Sequence, residues 1–436
     1  MTVSRRDVVR IGGLAATAVA LGGVASCAGK HDNTRSSGSS LQIMWWGGDA
    51  RTKAYQAAIG TYTGRHPSIA VKTQFSGYDG YFDKLDTYIA GDLTADIIQM
   101  DTELVSEYAG LGVLHPLDEH LGKQLHLGAF PEDLLAAGKV DGKLYGVPSG
   151  TGCMLVTYDA TLLRDAGADP PPADWTWADL TAYATRLTKA LGGKVHGVGD
   201  AGGDDLGAFQ IFLREREKDL FTADGKLGFT AADLEEWLDY WDGMRRRKAA
   251  APGEVTSAAY RDPGRNPLIT GKVAMTFGVG LETSLPPLTD HELDFVPVPG
   301  GGRGSVEGQY LTGGVLLSVY ARSEVTDEAA DLIDYFANDT EAIKSMGLTR
   351  GVPPTVDARL TVAVQLGLPE RRVLAAIDLV SRRVAAASAA PPPTPPKGAG
   401  QIRELLFENN LAVAFGRQTV SDATESFLAG AESALA

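Results

Sequence analysis

The sequence predicts an α/β fold with more than one domain, and three observations carry that prediction. Strand-like and helix-like patterns alternate from residue 41 onward, the order expected of a largely parallel sheet. A proline run at 170–172 separates that stretch from a half rich in helical patterns. The chain has 436 residues, 44% of them apolar, enough for two sizeable cores and too apolar for disorder. A formal net charge of −15 argues against a phosphate-backbone binder.

The first residues read as an address. Arg5-Arg6 opens a basic region, and residues 11–25 form a small, apolar run of about 15, shorter than the ~20 a membrane span needs. The pair resembles a twin-arginine export signal. Val24-Ala25-Ser26-Cys27 resembles a bacterial lipobox, with Cys27 the acylated residue after cleavage. Residues 1–26 are therefore expected to be a signal peptide and 27–40, rich in Gly and Ser, a lipid-anchored flexible tether. Cys153 is then left without a partner for a disulfide inside the mature domain.

Leu41-Gln42-Ile43-Met44-Trp45-Trp46-Gly47-Gly48-Asp49 reads as a strand running into two tryptophans, two glycines and an acid. At the carboxyl end of a strand in an open sheet this would make a platform for a polyhydroxylated ring. The same residues also fit a buried first strand whose tryptophans are core. A helix with Ala54, Tyr55, Ala58, Ile59 and Tyr62 on one stripe follows, with Asp49 placed to cap it. Strands at 69–75 and 95–100 alternate with helices carrying Tyr81, Phe82, Leu85 and Ile89, and then residues 104–111. Asp141-Gly142 marks a hairpin within 139–148, and a strand at 153–158 comes next. Thr176 with Asp179, and Thr230 with Asp233, are capping boxes, and Trp175 is placed to staple onto Leu180. Leu234, Trp237, Leu238 and Trp241 form a core stripe, and Arg245 to Lys248 complement the end of that helix. Strands recur at 272–277, 293–298 and 315–320. Helices are expected from Thr326, over 371–387 and over 401–415, the last two separated by an extended surface segment at 390–396.

Enzyme signatures are missing. There is no H-E-x-x-H, no G-x-S-x-G and no P-loop, and His115, His120 and His126 fall off any single helical face, so neither metal nor cofactor is expected. Gly197-Val198-Gly199-Asp200-Ala201-Gly202 matches G-x-G-x-x-G, but its strand is too short and its acids would repel a pyrophosphate; a glycine-rich loop over a cleft is the better reading. With 55 carboxylates, acid pairs cannot by themselves argue glycosidase chemistry.

These residues bring a family into view. The chain resembles the extracellular solute-binding lipoproteins of ABC transporters, of the carbohydrate-binding, maltose-binding-protein-like family 1 type in its actinobacterial form. The resemblance runs from about residue 41 to the C-terminus. Trp45-Trp46-Gly47-Gly48-Asp49-Ala50-Arg51, Phe75-Ser76-Gly77-Tyr78-Asp79-Gly80-Tyr81, Asp96-Ile97-Ile98-Gln99-Met100-Asp101, Asp141 to Pro148, Trp175-Thr176-Trp177, Leu348-Thr349-Arg350-Gly351-Val352-Pro353 and Pro396 to Gly400 carry it. It implies a two-lobe periplasmic-binding-protein-like (type II) fold with hinge-crossing strands. The first lobe would hold 41–153 and 314–347, the second 154–313 and 348–436. Crossings are implied near 153–157, 310–314 and 350–354, with Gly150, Gly152, Gly313, Gly314 and Gly351 as hinge residues.

The implied function is sugar capture between the lobes and delivery to ABC permease subunits, by a monomer tethered through Cys27, without catalysis. A glycan-processing enzyme or a sugar-sensing module would share the scaffold. The implied ligand-binding residues are Trp45, Trp46, Asp49, Phe75, Ser76, Tyr78, Gln99, Asp101, Gln309, Tyr310 and Arg350, with aromatics stacking, acids accepting from hydroxyls and Arg350 donating a planar fork. Val279-Gly280-Leu281 and Thr312-Gly313-Gly314-Val315 stand where relatives often carry further aromatics, which implies less stacking area on the second lobe.

Overall fold

The computed structural model describes residues 39–435, apart from 79, 204–205, 261, 301–305 and 389. The export signal, Cys27 and the tether up to residue 38 lie outside the described residues; Ser40 already belongs to the first strand.

Strands β1 (Ser40–Trp46), β2 (Ala70–Ser76) and β3 (Ile97–Asp101) are the parallel heart of the first sheet. A hairpin of β4 (Lys139–Val140) and β5 (Lys143–Leu144) turns at Asp141 and Gly142, both with positive φ, and leads to β6 (Val147–Pro148). β7 (Leu155–Asp159), β8 (Met275–Gly278) and β9 (Leu293–Pro297) form a second sheet in the order β8-β7-β9. β10 (Val315–Val319) returns to the first sheet, completing the order β2-β1-β3-β10-β6.

The expectation of a largely parallel sheet holds only for β1, β2 and β3. β10 runs antiparallel to both neighbours, because it enters the sheet on its way back from the other lobe, and every pair in the second sheet is antiparallel. Each sheet is covered by helices. On the first, Leu41, Ile43 and Trp45 point to the helices Asp49–Arg65 and Thr326–Asn338, while Met44 and Trp46 point to the helix Tyr81–Ala90, the two-residue alternation of a strand buried on both faces. On the second, Trp237, Leu238 and Trp241 of the helix Ala231–Arg246 pack with Leu180, Phe209 and Phe277, and both capping boxes form. Trp175 shares that core with Leu180 and donates its indole N–H to the Pro297 carbonyl, 2.9 Å away.

Several local expectations change. Asp49 is the first residue of its helix and caps nothing; Gly48 holds the cap position, without a side chain to bond. Arg245 turns inward and pairs with buried Asp200 at 2.6 Å and with Asn410 at 3.0 Å. The glycine-rich stretch around Asp200 is therefore core packing in the second lobe: a Cβ on Gly197 would stand 2.3 Å from the Ala184 carbonyl oxygen. The proline segment before Ala399 forms part of a pocket wall as well as a connection. The helices Leu206–Arg214, Thr340–Met346, Val356–Ala363 and Val420–Ala434 complete the lobes beyond the patterns read above. Among the described residues, no helix is long and apolar enough to cross a membrane.

Three segments pass between the sheets, and they bond to one another. Thr151 and Val352 exchange N–H···O bonds of 2.6 and 3.0 Å, while Gly152 and Thr312 exchange bonds of 3.1 and 2.8 Å. The first crossing thus falls at 149–152, earlier than expected, because Leu155–Asp159 is already a strand of the second sheet. Two glycines are required here. A Cβ on Gly150 would lie 2.0 Å from the Arg350 carbonyl oxygen, and Gly351 sits at φ +101°.

Candidate functional site

Two pockets open between the lobes. The larger, about 920 Å³, has Trp46, Gly48, Arg51 and Tyr78 on one side and Glu282, Pro286 and Glu370 on the other. The smaller, about 330 Å³, lies between Asp101, Glu103 and Asp133 of the first lobe and Leu206, Phe221 and Tyr310 of the second. Tyr78 and Asp101 make a shared partition, since the Tyr78 hydroxyl donates to Asp101 Oδ2 at 3.1 Å. Both volumes fall in the range of small-molecule sites, about 300–1,000 Å³.

The strand ends position the first wall. Trp46 is the last residue of β1, and its ring meets Tyr78 and Tyr81 edge-on, with centroids 5.5 and 5.1 Å apart. Only 8% of it is exposed, and that part borders the larger pocket. The neighbouring Arg51 ties the wall to the third crossing: its Nε donates to the Thr349 carbonyl at 2.8 Å and its guanidinium to the Trp46 carbonyl at 3.0 Å. Burial pushes its pKa down; nearby Tyr55 opposes that shift and Arg350 adds to it. Asp101, at the end of β3, accepts from the Glu103 N–H through Oδ1 at 3.0 Å, leaving Oδ2 to Tyr78. Burial first, then the Asp101 charge, pushes the Tyr78 hydroxyl pKa up, so it stays a donor. Glu103 reaches across the gap to Arg403 of the helix Ala399–Ala414, 2.8 Å away.

The remaining predicted residues are placed differently. Trp45 is wholly buried between Tyr55, stacked at 4.4 Å, and Phe75, stacked at 5.8 Å. Gln99 is also buried, accepting from the Tyr55 hydroxyl and donating to the Trp46 carbonyl, both at 3.4 Å. Arg350 lies inside the first lobe, its guanidinium 5.3 Å from the rings of both Tyr55 and Phe336. Its fork is aimed at that core and borders neither pocket. Asp49, Phe75 and Ser76 are more open to solvent but also outside both pocket linings. Gln309 is buried and donates to the Met154 carbonyl at 2.8 Å, beside a separate cavity of the second lobe that includes Glu215 and Trp175. Tyr310 does line the smaller pocket, with the Arg214 guanidinium 5.6 Å from its ring.

Sequence reasoning missed Glu282. It sits in the short helix Leu281–Ser284 after β8, is 2% exposed, and leaves Oε2 without a partner at the wall of the larger pocket. Burial pushes its pKa up to about 7, against the backbone N–H groups of Glu282 and Gly280, which favour the charged form. Cys153 is wholly buried as well, and burial, then the nearby Glu282 charge, pushes the thiol pKa up, which leaves it unreactive.

Two α/β lobes bridged by three bonded crossings, with rings and carboxylates facing a common gap, define a two-lobe solute-binding protein. Residues 48–343 match the family described as bacterial extracellular solute-binding protein, and the chain belongs to that family. A putative binding protein of Brucella abortus (strain 2308) is 28% identical over 216 residues, 49% of this chain and 51% of its own length. The chain thus spans about half the length of the curated relatives it matches. Among solved structures, an extracellular solute-binding protein family 1 member from Alicyclobacillus acidocaldarius is 27% identical, with 91% of this chain and 98% of that chain covered at a TM-score of 0.70. A periplasmic oligogalacturonide binding protein from Yersinia enterocolitica, in complex with saturated digalacturonic acid, shares the fold at 22% identity, covering 91% of this chain and 100% of that chain with a TM-score of 0.76.

Proposed function

We propose that this protein captures a sugar between its lobes and delivers it, unaltered, to the membrane permease of an ABC importer. One observation carries the reading: each inter-lobe pocket is lined from both lobes, the larger by Trp46 and Tyr78 of the first and Glu282 of the second, the smaller by Asp101 of the first and Tyr310 of the second. A ligand touching both walls favours the closed arrangement over the open one, the differential affinity that closure requires. We assign the rotation to the crossings at 149–152, 312–314 and 347–352, which supports a first lobe built from 41–153 and 314–347 and a second from 154–313 and 348–436, with the Arg350 side chain reaching back from its crossing into the first.

The cargo is a neutral sugar. Asp101, Glu103, Asp133, Glu282 and Glu370 surround the two pockets, while Arg51 is bonded to carbonyls and Arg403 to Glu103. The ionised carboxylates of that wall repel an anion, and its oxygens, the protonated Glu282 included, offer acceptors to hydroxyls. In this the chain differs from the Yersinia relative, whose ligand is a galacturonic acid dimer. The family is one of extracellular binders, and the N-terminal pattern supports a lipoprotein, cleaved before Cys27 and anchored to the outer face of the cell membrane; we assign it as a monomer.

The test is a thermal-shift screen of the soluble chain, lacking the signal peptide, against neutral mono- and oligosaccharides and their uronic-acid counterparts. A true ligand at 100 times its dissociation constant stabilises by about 2.7 kcal/mol and is recovered unchanged. If uronic acids alone stabilise the protein, the neutral assignment fails; if the bound sugar comes back cleaved, the transport reading fails.

A further inference from the structure

We propose that His115, Glu119 and His120 form a binding site for a divalent transition-metal ion of the zinc class, on the first lobe and outside the inter-lobe pockets. In sequence the spacing fits no single helical face. A short turn overcomes this: Asp118–His120 is one turn of 3₁₀ helix, anchored by fully buried Leu117, and it swings His120 back toward His115. Both backbones are fixed. The His115 N–H donates to the Val319 carbonyl at 2.8 Å, and the His120 carbonyl accepts from the N–H groups of Lys123, Gln124 and Leu125 at 3.1, 3.1 and 3.0 Å.

The side-chain atoms then converge. His115 Nε2 lies 3.4 Å from His120 Nε2 and 3.0 Å from Glu119 Oε1, and all three residues offer ligand atoms within 4.8 Å of one another. Ligand atoms held about 2.0–2.1 Å from a tetrahedral zinc stand roughly 3.3 Å apart, close to the two separations from His115 Nε2. His120, its side chain 3% exposed, also has the outer support such a ligand needs. Its Nδ1 faces two acceptors, Asp327 Oδ1 at 3.2 Å and Gln124 Oε1 at 3.4 Å. Nδ1 therefore keeps the proton, and Nε2 presents a lone pair to His115.

Without a metal, one proton on His115 Nε2 serves both His120 and Glu119; a divalent ion would take that place and bond all three, the proton passing to His115 Nδ1 so that the imidazole stays neutral. Two imidazoles and one carboxylate select zinc, copper or nickel over magnesium and calcium, which prefer all-oxygen shells. Glu119, with its side chain 66% exposed, leaves the fourth position to water. Bound metal would fasten the 115–120 turn, through Asp327, to the helix Thr326–Asn338.

The experiment is calorimetric titration of the protein, free of any histidine tag, with zinc chloride, followed by cobalt(II) absorption spectroscopy. One equivalent of zinc should bind with a rise in Tm, and cobalt should give the visible bands of a tetrahedral site. Glu119→Gln, at an exposed position, and His115→Gln, at a largely buried one, should each weaken zinc binding at least tenfold, and Asp327→Asn by about tenfold. His126→Gln, at an exposed histidine that bonds Asp334 and Asn338, should leave it unchanged. Absence of stoichiometric binding, or equal binding by wild type and His115→Gln, overturns the site.

Discussion

The two walls of the inter-lobe gap are built on different plans. The first wall stands on the carboxyl ends of β1 and β3, where sheet hydrogen bonds fix the backbone and rings supply the surface. The second has turns and a four-residue helix, and its most distinctive group is a buried carboxyl. One wall offers apolar area in a rigid frame. The other offers a polar group whose protonation state changes near neutral pH. Specificity for hydroxyl pattern and sensitivity to pH should therefore arise on the second wall, and most of the stacking energy on the first.

The sharpest way to break this comparison lies within the first wall. Trp45 and Trp46 are adjacent, yet the two-residue alternation of a strand sends the first into the core beside Tyr55 and the second to the pocket rim. Trp45→Ala should cost about 3–5 kcal/mol of stability, measured by urea unfolding, since it empties a packed site between two rings. Its remaining folded protein should bind sugar through an intact Trp46. If Trp45→Ala instead left stability unchanged and abolished binding, the assignment of the two residues would be reversed.

Glu282 tests the second wall by a pH effect. Its carboxyl stays protonated in the folded protein up to about pH 7, but in the unfolded chain it ionises near its ordinary value of 4.5. Between those values the unfolded state holds fewer protons, so this group's contribution falls as pH rises from about 4.5 to 7. At about 1.4 kcal/mol per pH unit the loss is at most about 3 kcal/mol. The exposed carboxylates of Asp179, Asp224 and Asp422, pulled below their usual range by hydrogen bonds, act with opposite sign in a more acidic window. Glu282→Gln should remove the fall between pH 5 and 7. Parallel wild-type and variant stability curves over that interval would show the carboxyl ionising normally in the folded state.

The two walls also differed in how much of them the sequence made legible. β-Branched runs, the Asp141-Gly142 turn and both capping boxes announce elements through local chemistry, and those elements form. Trp46 drew attention as the end of a strand, where the fold class itself puts ligands, whereas Tyr78 and Asp101 were implied only by the family resemblance; all three border the pockets. Glu282 carried no such signal. Its burial depends on residues more than sixty positions away, including Cys153 and the third crossing, and a lone glutamate looks like any surface acid. Arg350 differs the other way: the resemblance implied a sugar-binding fork, but long-range packing encloses it between Tyr55 and Phe336, away from both pockets. Local patterns report on elements, while the burial of a charge is decided by what the chain brings back from afar.

Trp46→Ala should weaken binding of the best sugar tenfold or more, a loss of about 1–3 kcal/mol for a largely buried ring bordering the site, with a smaller effect on unfolding than Trp45→Ala. Affinity that is unchanged by calorimetry would move the stacking surface elsewhere, with Tyr310 the next ring to examine.

The smallest expected effect belongs to Tyr78→Phe. The ring keeps its edge-on contact with Trp46 at 5.5 Å, so stacking area is preserved and only the hydroxyl bond to Asp101 is lost. That bond has a charged acceptor but a half-exposed donor, which places its worth near about 1 kcal/mol. Asp101 would retain the Glu103 N–H on its other oxygen, so its carboxylate stays roughly oriented. Sugar affinity should fall about two- to fivefold, with stability nearly unchanged. A tighter complex would mean that the Tyr78 hydroxyl competes with the ligand for Asp101 and must be displaced on binding, and the partition between the two pockets would then act as a gate in the sugar's path.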